Sequence, residues 1–249
     1  MEKYIERASQ LHRIMSNPVS KKAKEAGELS LTAKGRVLER YNELNYGIYK
    51  NIDNKFTLKG TQLEDESILL FKKVFGEFSL FKNEKNFKNE YFTGTPDLIT
   101  DDLVIDIKTK YSLDGFQKMY YNQKPVDKAY IYQIQCYMHL LGLKRGMIAF
   151  CLTNNSEEGI VKEIQSQIYK SDKISYTDSE YLQIEEKVRK EQTFDYLPDN
   201  KRVKMIFVDY NEDLIVQMKE RIKQCDKYYK WIDTYVCDNL EKFFVLLAV

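Results

Sequence analysis

The chain has 249 residues, of which 43% are hydrophobic and 31% charged, and carries a net charge of +1. This excludes a disordered chain and a polycation, and it suits one sizeable core or one domain with helical additions. Cys136, Cys151, Cys225 and Cys237 form no C-x-x-C pair, the start shows no signal-peptide pattern, and the longest apolar run, Phe243 to Val249, is too short to span a bilayer, so a cytoplasmic protein without a membrane partner is expected.

From Tyr4 to Met15 the apolar residues Tyr4, Ile5, Ala8, Leu11, Ile14 and Met15 recur at helical spacing and predict a packed helix. Residues 17–29, with Pro18, Lys21, Lys22, Lys24 and Gly27, read as a basic connection. Ser30 or Thr32 then caps a second helix over 31–46. Residues 1–60 hold twelve Lys or Arg against seven Asp or Glu, an excess of five that suits either phosphate contact or a solvated helix face.

Lys59 to Ser67 opens a helix running to about Phe75, and Thr61 and Glu64 stand at capping-box spacing, which alone accounts for the glutamate. Two strands are expected near Phe78–Phe81 and Phe87–Phe92, extending the sheet toward the segment that follows.

That segment, Gly94-Thr95-Pro96-Asp97-Leu98-Ile99-Thr100-Asp101-Asp102-Leu103-Val104-Ile105-Asp106-Ile107-Lys108, is the chemical centre of the sequence. Leu103 to Ile107 is a β-branched apolar strand interrupted by one carboxylate, and a lone ionised Asp there is costly. Side chains alternate along a strand, so Asp106 and Lys108 share a face, about 6.6 Å apart. A two-residue turn at Asp101-Asp102 pairs Thr100 with Leu103, Ile99 with Val104, Leu98 with Ile105, and Asp97 with Asp106. Two carboxylates then face each other with Cβ atoms about 4.5–5.5 Å apart, a repulsive pair that a divalent cation would relieve. Oxygen ligands suit Mg²⁺ or Mn²⁺.

Residues 111–126, with Phe116, Tyr120 and Tyr121, form a connection beside this site, suited to core or lid packing or to stacking on an unpaired base. An amphipathic helix over 127–141 places Tyr130, Gln133, Tyr137 and Leu141 on one stripe, where the amide and phenol could hydrogen-bond a phosphate or simply each other. Met147–Leu152 and Val203–Val208 read as strands; residues 155–200 are helical in parts, including 178–192, and a long helix covers 211–235.

Thr95-Pro96-Asp97 with Asp106-Ile107-Lys108 resembles the PD-(D/E)XK nuclease signature, and Gln133-x-x-x-Tyr137 resembles the further motif of its RecB-type and phage λ-exonuclease-like branch. The resemblance implies an α/β fold, with a mixed central β-sheet flanked by helices and helical N- and C-terminal additions. It divides the chain into an extension over 1–55, a nuclease core over 56–155, and elements over 156–249 that complete the same domain. Asp97, Asp106, the Ile107 carbonyl and Glu64 would hold the metal, Lys108 would act on the attacking water or the developing charge, and Gln133 and Tyr137 would contact substrate. The Gly60-x-x-x-Glu64 pattern is similar to the helix that supplies an extra acidic residue in this branch, with Glu66 the alternative. The implied activity is a Mg²⁺-dependent deoxyribonuclease, an exonuclease acting on DNA ends in phage or bacterial recombination or repair. The implied partners are DNA, a single-strand annealing protein and further copies of the chain.

Neither an iron–sulfur cluster nor a bound nucleotide is expected, since the cysteine spacing and the lack of a G-x-x-x-x-G-K-[S/T] loop offer no place for them. Alternatives are a structure- or sequence-specific endonuclease, or a non-cutting DNA-binding protein derived from a nuclease.

Overall fold

A computed structural model describes residues 3–49, 63–121, 125–170 and 177–246, with side chains described except at 178 and 236–246. The strands are β1 (Glu6–Arg7), β2 (Phe87–Lys88), β3 (Phe92–Gly94), β4 (Leu98–Ile99), β5 (Leu103–Thr109), β6 (Arg145–Cys151) and β7 (Val203–Asp209). The α-helices are α1 (Leu11–Ile14), α2 (Lys21–Glu25), α3 (Leu31–Tyr46), α4 (Glu64–Phe75), α5 (Leu113–Tyr120), α6 (Lys128–Leu141), α7 (Glu157–Lys170), α8 (Asp178–Gln192) and α9 (Glu212–Leu246). The α/β class with helices flanking mixed sheet is as expected, but the strands divide between two mixed sheets, ordered β1-β3-β2 and β4-β5-β6-β7.

β5 is central in the larger sheet, antiparallel to β4 and parallel to β6, and all of Leu103 to Ile107 is buried. Its alternation sorts the core. Leu103, Ile105 and Ile107 pack with Ile68 and Phe71 of α4, whereas Val104 joins Ile134 and Met138 of α6 in the larger cluster on the other face. That larger cluster also takes Tyr4, Leu11, Ile14 and Val37 from the N-terminal elements and Ile215, Met218 and Ile222 from α9.

Three expectations are corrected. Residues 4–15 are not one helix, because Tyr4, Glu6 and Ala8 are buried alternately in extended and 3₁₀ backbone before α1 begins at Leu11. Phe78–Phe81 forms no strand, and Phe78 and Phe81 are exposed. Phe87–Phe92 is a hairpin rather than one strand, since the Asn89 side chain accepts the Tyr91 and Phe92 N–H groups and turns the chain between β2 and β3. The connection over 111–126 contains α5, capped by Ser112, and the basic stretch contains α2, capped by Ser20. Gly60 and Thr61 lie outside the described residues. Among the described residues no helix is long and apolar enough to cross a membrane.

Candidate active site

The β4–β5 turn follows the register read from the sequence: Ile99 pairs with Val104, Leu98 with Ile105, and the Thr100 N–H donates to the Leu103 carbonyl at 2.8 Å. The ladder stops one residue short of Asp97. The Asp97 carbonyl instead accepts from the Asn83 N–H at 2.8 Å, and its side-chain Oδ2 accepts from the Ile107 N–H at 2.6 Å. This docks Asp97 beside Asp106 by a charge-assisted bond rather than by a further ladder pair.

Asp106 is 1% exposed, and Lys108 Nζ lies 3.0 Å from its Oδ1 and 2.8 Å from its Oδ2. Only the Oδ1 contact has hydrogen-bond geometry, so Asp106 Oδ2 is a buried oxygen without a hydrogen bond. Such an atom is expensive unless something else coordinates it. Burial and the Asp106 charge push Asp97 up to about 7, against the lowering effects of Lys108 and the Ile107 N–H. Burial likewise raises Asp106. Burial also opposes the charge on Lys108, but Asp106 and Asp97 outweigh it and hold the ammonium above its ordinary value. Lys108 in this state is a protonated donor, not a base.

Gln133 and Tyr137 are both buried and meet as the helix spacing requires, Gln133 Nε2 donating to Tyr137 Oη at 2.9 Å. Tyr137 also presses on β3: a Cβ on Gly94 would stand 2.6 Å from Tyr137 Cε1 and 3.0 Å from Ala8 Cβ. Glu64, at the first turn of α4, is ion-paired with Lys82 at 3.1 Å, and its charge acts on both Asp97 and Asp106. Glu66 is exposed. Among the described residues no three His, Cys, Asp or Glu side chains gather as a metal-holding group. The donor set of Asp97, Asp106 and main-chain oxygen still fits a hard cation of the Mg²⁺ type, which binds through one or two carboxylates and keeps water and phosphate as its other ligands. The Asp106 Oδ2 that makes no hydrogen bond and the two mutually repelling carboxylates are what such an ion would satisfy.

Sequence reasoning missed the groups flanking Asp97. A cavity of about 420 Å³ is lined by Arg7, Ser9, Arg40, Thr93, Thr95 and Tyr137, among others. Its arginines belong to a network in which Arg7, Arg36 and Arg40 bind Glu43, Arg36 also binds Glu6, and Arg13 binds Glu39. Four guanidinium groups thus face three carboxylates, and Arg40 Nε is buried without a hydrogen-bond partner. The network thus carries one more positive than negative group, a balance that suits an anion. The available signal was the local basic excess and the buried Glu6, which needed a cation from elsewhere in the chain.

No protein-family model and no curated protein matches the sequence. Among solved structures, the chain is similar to a phage-related exonuclease from Haemophilus somnus 129PT at 27% identity and TM-score 0.68, over 94% of this chain and 97% of that one. It also shares the fold of LHK-Exo, an alkaline exonuclease from Laribacter hongkongensis, at 14% identity and TM-score 0.64, over 96% of this chain and 94% of that one. A second structure of LHK-Exo, in complex with dAMP, aligns at 15% identity and TM-score 0.61, over 95% of this chain and 93% of that one. Together with the Asp97, Asp106 and Lys108 geometry, these neighbours give the chain the PD-(D/E)XK, λ-exonuclease-like fold of phage-related and alkaline exonucleases and support a nuclease.

Proposed function

We propose that the chain is a Mg²⁺- or Mn²⁺-dependent deoxyribonuclease that degrades DNA from an end, in phage or bacterial recombination or repair. The observation that carries this reading is the buried Asp106, whose Oδ2 makes no hydrogen bond although the Lys108 ammonium lies 2.8 Å away, beside a raised Asp97 and a protonated Lys108. Asp97, Asp106 and the Ile107 carbonyl would hold the cation, with Glu64 joining them on release from Lys82. When bound, a divalent cation supplies charge stabilisation at the phosphate and lowers the pKa of water. Lys108 donates to the phosphate or the incoming water and stabilises the negative charge that develops, Asp106 keeping the ammonium aimed. Gln133 and Tyr137, hydrogen-bonded to each other, would contact the substrate, and Tyr137 lies near enough to feel the charges of Asp106 and Asp97. Arg7 and Arg40 in the flanking cavity would hold a terminal phosphate, which favours action at ends. The dAMP bound by LHK-Exo supports DNA as substrate. A single-strand annealing protein and further copies of this chain are the partners that fit this role.

The test is digestion of matched linear and covalently closed circular duplexes with Mg²⁺ and then Mn²⁺, with Lys108→Ala as control. Loss of the linear substrate alone, dependent on Lys108, is expected. Nicking of the circle would replace the reading with an endonuclease, and silence of both substrates with a non-cutting binder.

A further inference from the structure

The cavity of about 420 Å³ beside Asp97 takes one guanidinium from each of two elements, Arg7 from β1 and Arg40 from α3. Two such groups repel at short range, and Glu43 is what joins them. Its Oε2 accepts from Arg7 Nη2 at 3.1 Å and from Arg40 Nη1 at 2.9 Å, and its Oε1 accepts from Arg36 Nη1 at 2.9 Å. Arg36, Arg40 and Glu43 stand at i, i+4 and i+7 on α3, so one stripe of the helix carries all three. Glu43 is 8% exposed and does not line the cavity, so it acts on an occupant only through the two arginines.

Holding β1 against α3 does not account for this arrangement. Glu6 of β1 and Arg36 of α3 already make that join: both are buried, Arg36 Nη2 donates to Glu6 Oε1 at 2.8 Å, and Arg36 Nε is shared between the two Glu6 oxygens at 3.2 and 3.1 Å. That pair is balanced in charge. Glu43 adds one carboxylate and gathers two further guanidinium groups, leaving Arg7, Arg36 and Arg40 against Glu6 and Glu43. Burial opposes the charge on Glu43, but Arg36, Arg40 and Arg7 outweigh it and hold the carboxylate below its ordinary value, so it is ionised at neutral pH. A guanidinium has five donors, and each cavity arginine gives one to Glu43. The other edges of both forks can then be offered to one anion at a fixed spacing, without ordering two long side chains when it arrives.

We infer that Glu43 is a positioning residue that fixes Arg7 and Arg40 for the terminal phosphate, and thereby sets the preference of the chain for a phosphorylated over a hydroxyl end. The inference rests on the nuclease reading and on the place that reading gives the phosphate, and its test separates them. Charge alone predicts the opposite sign, because removing a carboxylate beside two arginines makes the cavity more positive and should tighten any anion. The full chain in EDTA is titrated with matched duplexes bearing 5′-phosphate, 3′-phosphate or hydroxyl ends. The wild type should bind one phosphorylated form about tenfold more tightly than the hydroxyl form, in the range of one charge-assisted hydrogen bond, and show the same ratio in KM during Mg²⁺ turnover. Glu43→Gln removes the charge at nearly constant shape, and Glu43→Asp keeps the charge but is one methylene shorter and cannot span both guanidinium groups. Each should bring the ratio to within about twofold, through Kd and KM rather than kcat. Should Glu43→Gln not fold, as read by far-UV circular dichroism, the Glu43→Asp titration decides alone. A ratio retained or increased in either folded variant, while linear DNA is still degraded, overturns the inference and leaves the nuclease reading standing. A wild type that degrades linear DNA without preference between ends overturns the inference together with the place given to the phosphate. A Glu43-dependent preference in a chain that cuts nothing supports the inference and removes the nuclease reading instead.

Discussion

Asp106 is almost wholly buried, yet one of its oxygens lacks a hydrogen bond and its neighbour Asp97 is pushed up to about 7. A stability-driven core would have replaced such a pair with apolar side chains. Asp106→Asn should therefore remove turnover by about 10³-fold or more while leaving the far-UV circular dichroism unchanged. Lys108→Ala should cost about 10²–10³-fold in kcat, as for other donors aimed at developing charge. Wild-type turnover in either variant would end the assignment. The metal-free protein also carries a pH signature. The folded chain binds the Asp97 proton more tightly than the unfolded chain does, so this contribution to stability is complete below about pH 4 and lost as pH rises through about 7. Urea midpoints in EDTA should fall between those limits for the wild type and fall less for Asp97→Asn; equal slopes would refute the assignment of the slope to Asp97.

At the scale of elements, the sequence was most legible where local chemistry decides the backbone. The β4–β5 register followed from alternation around Asp101-Asp102, and α3, α6 and α8 match the expected 31–46, 127–141 and 178–192 to within a residue. Asp106 and Lys108 came with that register. The N-terminus was misread because Tyr4, Glu6 and Ala8 alternate into the core with period two, and a buried glutamate looks polar until Arg36, thirty positions on, supplies its partner at 2.8 Å. The arginine cavity was hidden for the same reason, being assembled from β1, α3 and β3 by tertiary contact. Glu6→Ala, which strips Arg36 of one of its two buried carboxylates, should cost about 3–5 kcal/mol. Gly94→Ala is the corresponding test of packing: its Cβ would meet the Tyr137 ring at 2.6 Å, so a loss of about 1–3 kcal/mol is expected, along with reduced activity as β3 and the adjoining Asp97 segment shift. A neutral Gly94→Ala would mean that Tyr137 is free to move and does not brace the site.

Across the whole molecule, α6 lies against both sheets and carries the Gln133–Tyr137 pair, while β5 brings Asp106 to the face of the larger sheet that α6 covers. The chain thus concentrates its electrostatic cost at one place and spreads its apolar core over the N-terminal elements, α4, α6 and α9. An ion that binds only the folded chain at that place should act on global stability. It would relieve the Asp97–Asp106 repulsion, satisfy Asp106 Oδ2, and draw Glu64 from Lys82. At a concentration about 100 times its Kd, linkage gives about 2.7 kcal/mol, or a Tm increase of roughly 5–10 °C for a chain of this size. Calorimetric melts with Mn²⁺ or Mg²⁺ should show that increase in the wild type and lose it in Asp106→Asn, with Ser20→Ala, remote from the site at the start of α2, as the control that keeps it. An equal shift in wild type and Asp106→Asn would mean that the ion binds elsewhere. An absent shift in the wild type would leave the buried carboxylates to be balanced by Lys108 alone, which is the expected behaviour of a chain that binds DNA without cutting it.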